Sequence, residues 1–293
     1  RSCKMPIAVK SFFHKQSATF TYLVSCLDTH SAMLIDPPAD FDAPSATLTF
    51  TTANQIIDYV KTHKLTLEWS LETHAHADHI TAASYIKQQL KTEHPCKLGT
   101  GKGITQVQAY FSRLYHLDMP CDGSPFDRLF NDGECFKLGN THFDVVSTPG
   151  HTPDSVSYLI EGNLFVGDTF FMPDSGTARC DFPGGSAKEL YASLQKVLAL
   201  PDNTIMWMCH DYQPYGRELA NKTTVQAQRL TNVHLQQSEH AYIETREKRD
   251  TTLSSPQLLH PAIQMNIRAE YLPEKECNGT SNLKIPILLE LGK

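Results

Sequence analysis

The sequence predicts a layered α/β fold, and three observations carry that prediction. Stretches with the period-two alternation of strands recur between amphipathic stretches of helical period. Four separate strand-like stretches run straight into loops bearing His or Asp, the way α/β folds bring side chains to one sheet edge. The 293 residues are enough to bury a large core, as one domain or as two halves.

Taken in order, residues 7–36 read as a meander, strand-like over 8–14, 18–27 and 32–35, ended by Pro37-Pro38. Residues 53–63 place Ile56, Ile57 and Val60 on one face of a first helix. Residues 65–71 alternate as a half-buried strand and 80–90 read as a helix. The intervening Glu72-Thr73-His74-Ala75-His76-Ala77-Asp78-His79 therefore falls on a strand-to-helix turn. Asp78 is expected at or near the helix start, where free N–H groups favour a carboxylate.

Between 91 and 130 the periodicity weakens. Gly99-Thr-Gly-Lys-Gly103 lacks P-loop spacing and reads as a loop, not as a phosphate cradle. Asn131-Asp-Gly133 turns into short strands at 134–138 and 142–147, and the second delivers Thr148-Pro149-Gly150-His151. Residues 155–160 and 164–166 form a hairpin that leads into Gly167-Asp168. Residues 187–200 form an amphipathic helix with Leu190, Leu194, Val197 and Leu198 inward. An apolar strand at 204–208 ends in Cys209-His210-Asp211-Tyr212, 225–249 reads as one long polar helix, and a Pro-punctuated tail follows.

A formal charge of −6 and a pI near 6.2 give no general attraction to nucleic acid or to an anionic membrane, so neither is an expected partner. The eight cysteines (Cys3, Cys26, Cys96, Cys121, Cys135, Cys180, Cys209, Cys277) are scattered without a C-x-x-C pair, which suggests a reducing, cytoplasmic setting. No apolar run is of bilayer length, and the first residues lack a secretory pattern; Arg1-Ser-Cys-Lys4 ahead of Met5 reads as an expression remnant or the scar of a processed leader.

The chemistry concentrates at 74–79, where three imidazoles and one carboxylate fall within six positions. Neutral imidazole and carboxylate suit zinc, iron or manganese, so a metal is the first reading; the bland alternative is a polar turn whose histidines cap the helix. His151, Asp168 and His210 stand at three further strand ends in the same context.

His-x-His-x-Asp-His at 74–79, Thr-Pro-Gly-His at 148–151, Gly-Asp at 167–168 and His210 after an apolar strand together resemble the metallo-β-lactamase superfamily over residues 7–210. The resemblance implies a four-layer αββα sandwich over residues 5–250, built of two βαβ-like halves with a metal in the groove between sheet edges. Residues 251–293 are then an extension packed on the same domain. Within the superfamily, Gly176-Thr-Ala-Arg179-Cys-Asp181-Phe-Pro-Gly-Gly-Ser186, His210-Asp211-Tyr212 and Gln264-Met-Asn-Ile-Arg268-Ala are similar to the persulfide dioxygenases, especially the bacterial ones.

That branch implies oxidation of glutathione persulfide, with O2 and water, to sulfite and glutathione at one Fe(II) per chain held by His74, His151 and Asp168. His76, Asp78, His79 and His210 are then a supporting layer, or the ligands of a second metal. Asp78, His79, Arg179 and Tyr212 are the expected catalytic residues. Arg179 is expected to hold a glutathione carboxylate or to brace its loop through Asp181, and Tyr212 to donate a hydrogen bond to substrate. The rival is a glyoxalase II-like hydrolase of glutathione thioesters, with one or two Zn per chain and Asp168 bridging in the two-metal case. A homodimer and a sulfurtransferase partner that supplies persulfide are further expectations. Two features depart from the branch: Cys209 stands where relatives have Gly, and residues 91–130 are longer than in the shorter members.

Overall fold

The computed structural model describes residues 6–93 and 95–289; Cys3 and the 1–4 segment lie outside them. The first half contains β1 (Ile7–His14), β2 (Thr19–Cys26), β3 (Ser31–Ile35), β4 (Asp40–Asp42), β5 (Thr47–Thr49), α1 (Thr51–Thr62), β6 (Thr66–Leu71), α2 (Ala83–Leu90), β7 (Lys97–Gly101), α3 (Ile104–Tyr115) and β8 (Arg128–Phe130). The second contains β9 (Cys135–Leu138), β10 (Thr141–Ser147), β11 (Val156–Ile160), β12 (Asn163–Phe165), α4 (Ala187–Leu198), β13 (Ile205–Trp207), β14 (Lys222–Thr224), α5 (Val225–Thr231), α6 (Glu239–Asp250) and α7 (Leu259–Asn266).

Two six-stranded sheets result, ordered β1-β2-β3-β6-β7-β8 and β14-β13-β12-β11-β10-β9. Alternation along each strand divides its side chains between two layers. In the first sheet Tyr22, Val24, Met33, Ile35, Trp69 and Leu71 point toward the second sheet, where they meet Phe143, Val145, Tyr158 and Phe165. Their neighbours Leu23, Ala32, Leu34 and Leu67 point the other way, onto Ile56 and Val60 of α1, Ile86 of α2, and Ala262 and Met265 of α7. The outer face of the second sheet packs on Leu190, Leu194 and Val197 of α4, with Val225 and Tyr242 from α5 and α6. Helix, sheet, sheet, helix is the αββα sandwich.

The parallel pairs decide where function collects. Strands β3, β6, β7 and β8 run parallel as neighbours, as do β12 and β13, with helices in the connections. Loops at the carboxyl ends of parallel strands gather on one edge. Asp36 follows β3, the histidine turn follows β6, Asp168 comes just after β12, and His210 just after β13.

Several expectations need correction. Helix α2 begins at Ala83, not at residue 80, because Ile80 and Thr81 are bonded elsewhere: Ala39 N donates to Ile80 O (2.7 Å) and Thr81 N to Asn266 Oδ1 (2.8 Å). Asp78 is therefore not at a helix start. Residues 97–101 and 104–115 are a strand and a helix, not a loop. The strand was hidden by its glycines, which close packing demands: a Cβ on Gly99 would sit 2.5 Å from the Phe130 ring, and one on Gly101 2.3 Å from Asp154 O. The long helix expected at 225–249 is two helices. Asn232 ends α5 by turning its amide to Gly176 O (3.1 Å), and Ser238 restarts the chain by accepting from Ala241 N (3.3 Å). The tail contains a helix of its own, α7.

Candidate metal centre

All seven sequence-predicted ligand candidates meet at this edge. One ligand atom from each of His74, His151 and Asp168 lies within 4.8 Å of the others, and His76, Asp78, His79 and His210 form an adjoining group by the same measure. The rings are in mutual contact, with centroid separations of 4.0 Å for His74–His76, 4.2 Å for His76–His79 and 5.0 Å for His74–His151.

The hydrogen bonds fix which nitrogen of each ring points inward. His151 Nδ1 lies 2.7 Å from Arg179 O, and a carbonyl only accepts, so Nδ1 carries the proton. Thr73 Oγ1 donates to Asp36 Oδ2 (2.8 Å), which leaves it to accept from His74 Nδ1 at 3.0 Å. In the neutral rings, both Nε2 atoms then present lone pairs, and both face Asp168 Oδ2, at 3.7 Å from His74 and 3.6 Å from His151. Three electron-rich atoms converging without a proton between them repel one another unless a cation lies among them.

Burial strengthens this reading. Desolvation first, then neighbouring His76 and His151, hold His74 well below the usual imidazole range. Desolvation and His76 likewise bring His79 down to about 4, so both are neutral donors suited to a metal. Among the described residues, His79 Nε2 is buried without a hydrogen-bond partner, and His210 Nε2 and Asp168 Oδ1 face each other at 3.3 Å without forming a hydrogen bond. Buried lone pairs left without a donor are rare in a folded protein, and a bound cation would satisfy them. The residues present fit a metal.

Sequence reasoning missed several groups that hold the cluster. Asp36 accepts from Thr73 N (2.8 Å) and Thr73 Oγ1, and its Oδ1 lies 3.0 Å from His76 Nε2. Burial favours a neutral His76, but Asp36, followed by Glu72, overrides this and lifts the ring to about 10. Asp154 Oδ2 accepts from Ala75 N at 2.7 Å, and Thr19 Oγ1 touches both His79 Nδ1 (3.4 Å) and His210 Nδ1 (3.3 Å). Asp36 had the same signal as the others, an apolar strand ending in an acid.

Beside the cluster lies a cleft of about 370 Å³ lined by Asp78, His151, Asp168, Phe171, Arg179 and Tyr212, with Arg246 and Arg249 of α6 on its wall. The Arg179 side chain is largely taken up: Nε and Nη2 each donate to Asp181 at 2.6 Å and Nη1 to Ser254 O at 2.9 Å. Of the two expected roles, the geometry displays the loop brace, and its backbone carbonyl is what reaches the ligand set. Tyr212 stacks on His210, ring centroids 5.6 Å apart and 13° between planes. Cys209 is buried with its thiol 3.8 Å from Asp36 Oδ2, and burial, then Asp36 and Asp168, push its pKa well up. Burial pushes Cys180 up to about 12, which argues against a nucleophilic thiolate.

Comparison with known proteins bears on these residues. A family model described as the metallo-beta-lactamase superfamily matches residues 15–210. The chain is 45% identical over 281 residues to a "Beta-lactamase hydrolase-like protein" of Agrobacterium fabrum, covering 95% of this chain but 64% of that protein, so it spans less than two thirds of that relative. It is 44% identical over 284 residues to "Glyoxylase B2" of Dictyostelium discoideum, covering 95% of this chain and 96% of the other. Against the mitochondrial persulfide dioxygenase ETHE1 of Bos taurus the identity is 28% over 266 residues, 90% of this chain and 89% of the other. The crystal structure of ETHE1 from Myxococcus xanthus superposes with a TM-score of 0.72 at 27% identity, covering 90% of this chain and all 100% of that one.

Proposed function

The chain belongs to the metallo-beta-lactamase superfamily, and from that premise we propose that it is a persulfide dioxygenase that converts glutathione persulfide, O2 and water into glutathione and sulfite. The observation that carries this reading is the gathering of His74, His151 and Asp168 as a group of their own, two imidazoles and one carboxylate. That is the donor set of non-haem Fe(II) oxygenases. Likeness to the Bos taurus enzyme and the Myxococcus xanthus structure supports it. Bound by these three residues, Fe(II) would supply open coordination positions and the one-electron chemistry that O2 requires.

The chain's own residues do the positioning. Arg179 O and Thr73 Oγ1 lock the two rings in the tautomer that presents Nε2. The Asp181 pair and Ser254 O hold the Arg179 loop beside the cleft, and Tyr212, stacked on His210, lines the same cleft. The Arg249 cation on the cleft wall favours an anionic substrate such as a persulfide bearing carboxylates, whereas the Arg246 guanidinium is buried against Asp250.

A second reading has its own observation. His76, Asp78, His79 and His210 form a further group that would hold a cation once His76 gives up its proton, and Asp168 Oδ1 lies 3.3 Å from His210 Nε2. Two Zn ions there would suit a glyoxalase II-like hydrolase, and the likeness to Glyoxylase B2 of Dictyostelium discoideum supports this reading. One assay separates the two. Iron-reconstituted protein given glutathione persulfide is expected to consume O2 and release sulfite; a Zn-loaded protein that consumes none and hydrolyses S-lactoylglutathione would reverse the assignment.

A further inference from the structure

The histidine turn is held from outside the family-matched region. Between the end of β6 and the start of α2 the chain has no regular ladder to satisfy its backbone, yet it is buried. Asn266, the last residue of α7, fills that gap with a single amide. Its Nδ2 donates to His76 O (2.7 Å) and His79 O (2.8 Å), and its Oδ1 accepts from Thr81 N (2.8 Å). Two carbonyls require the nitrogen and one N–H requires the oxygen, so the orientation of the amide is set by chemistry. Neighbouring side chains stop it from swinging away, because Ile263 and Ile267 pack with Ala75 and α3 while Ala262 and Met265 pack under the first sheet.

A second side chain of the same segment pins the far end of the turn. Helix α2 has no side-chain cap of its own at Ala82, and Glu270 supplies one, with Oε2 accepting from Tyr85 N (2.9 Å) and Ser84 Oγ (3.2 Å).

We propose that Asn266 is a positioning residue of the metal centre, aiming His76, Asp78 and His79 through three hydrogen bonds to the backbone that carries them. The extension is thereby a working part of the site. This rests on the metal reading above and on the group of His76, Asp78, His79 and His210 taking up Co(II) of its own, which a wild-type stoichiometry of two Co(II) per chain shows. Losing a group that orients metal ligands costs about 10- to 100-fold in metal affinity.

The test is Co(II) binding by the full chain, read as affinity against a competing chelator and as the visible ligand-field spectrum. Asn266→Ala is compared with Gln264→Ala. Gln264 joins α7 to Lys284 (Nε2 to Lys284 O 2.7 Å, Lys284 N to Oε1 2.9 Å) and makes no hydrogen bond to the turn among the described residues. Asn266→Ala is expected to lose tenfold or more in Co(II) affinity and to alter the spectrum, while Gln264→Ala stays within about twofold. Asn266→Asp keeps the shape and the acceptor but faces two carbonyls without a donor. It is expected to lose affinity in the same way, and it decides the matter if the alanine variant does not fold. Wild-type affinity and spectrum in the folded Asn266 variants, or equal losses in Gln264→Ala, would overturn the clamp alone. A wild-type chain that binds no Co(II) would instead overturn the metal reading beneath it.

Discussion

At the residue scale, the site depends on which ring nitrogen carries the proton. Thr73 Oγ1 stands between Asp36 and His74 and passes the acid's orientation to the ring. Thr73→Val keeps the volume and removes both hydrogen bonds; metal affinity, measured by chelator competition, is expected to fall at least about tenfold. Asp168 groups both with His74 and His151 and with His210, whereas His210 does not group with His74 and His151. Iron content per chain is expected to drop to zero in Asp168→Ala and to remain near one in His210→Ala. The ligand residues were legible in the sequence because each follows an apolar strand. Of their supports, Asp36 carried the same signal, whereas Thr19 and Asp154 act through contacts that only the folded chain creates.

Glu270 offers a test in pH. Burial raises its carboxyl to about 7, against hydrogen bonds from Tyr85 and Ser84 that pull the other way. An unfolded glutamate titrates near about 4.3, so between these values the folded state holds more protons and stability falls as pH rises. The slope from this one group is at most about 1.4 kcal/mol per pH unit. Urea midpoints measured from pH 5 to pH 7 are expected to fall less steeply in Glu270→Gln than in the wild type.

At the scale of elements, α6 does more than cover the second sheet. Arg246 Nε and Nη2 donate to Asp250 Oδ1 (3.0 and 2.8 Å) and Nη1 to Thr177 O (3.0 Å), while Asp250 Oδ2 accepts from Cys180 N (2.6 Å). This buried pair fastens the loop whose Arg179 carbonyl orients His151. Arg246→Ala would strand Asp250 in the interior, and a loss of about 3–5 kcal/mol in urea unfolding is expected. Helix α6 was read as part of one longer helix because its polar surface continues that of α5; the break at Asn232 comes from a tertiary bond to Gly176 that no local pattern announces. Strand β7 was missed for the converse reason. Its glycines look like a loop locally and serve close packing globally, and Gly101→Ala, which would press a methyl group against Asp154 O, is expected to cost about 1–3 kcal/mol or more.

At the scale of the molecule, the two sheets share an aromatic interior in which Trp69, Phe130, Phe143 and Tyr158 meet largely edge to face. That rigid seam lets loops from both halves close on one point. The sandwich was legible from the strand-loop order and the ligand motifs. The part played by α7 was not, since nothing in a Pro-punctuated tail says that its last helical residue reaches back to residues 76–81. No helix among the described residues is long and apolar enough to cross a membrane.

Anomalous diffraction at the iron edge from crystals of the iron-loaded protein puts the convergence itself to trial. A peak is expected within bonding distance of His74 Nε2, His151 Nε2 and an Asp168 oxygen. A peak coordinated elsewhere, or none in protein that retains iron in solution, would contradict the account.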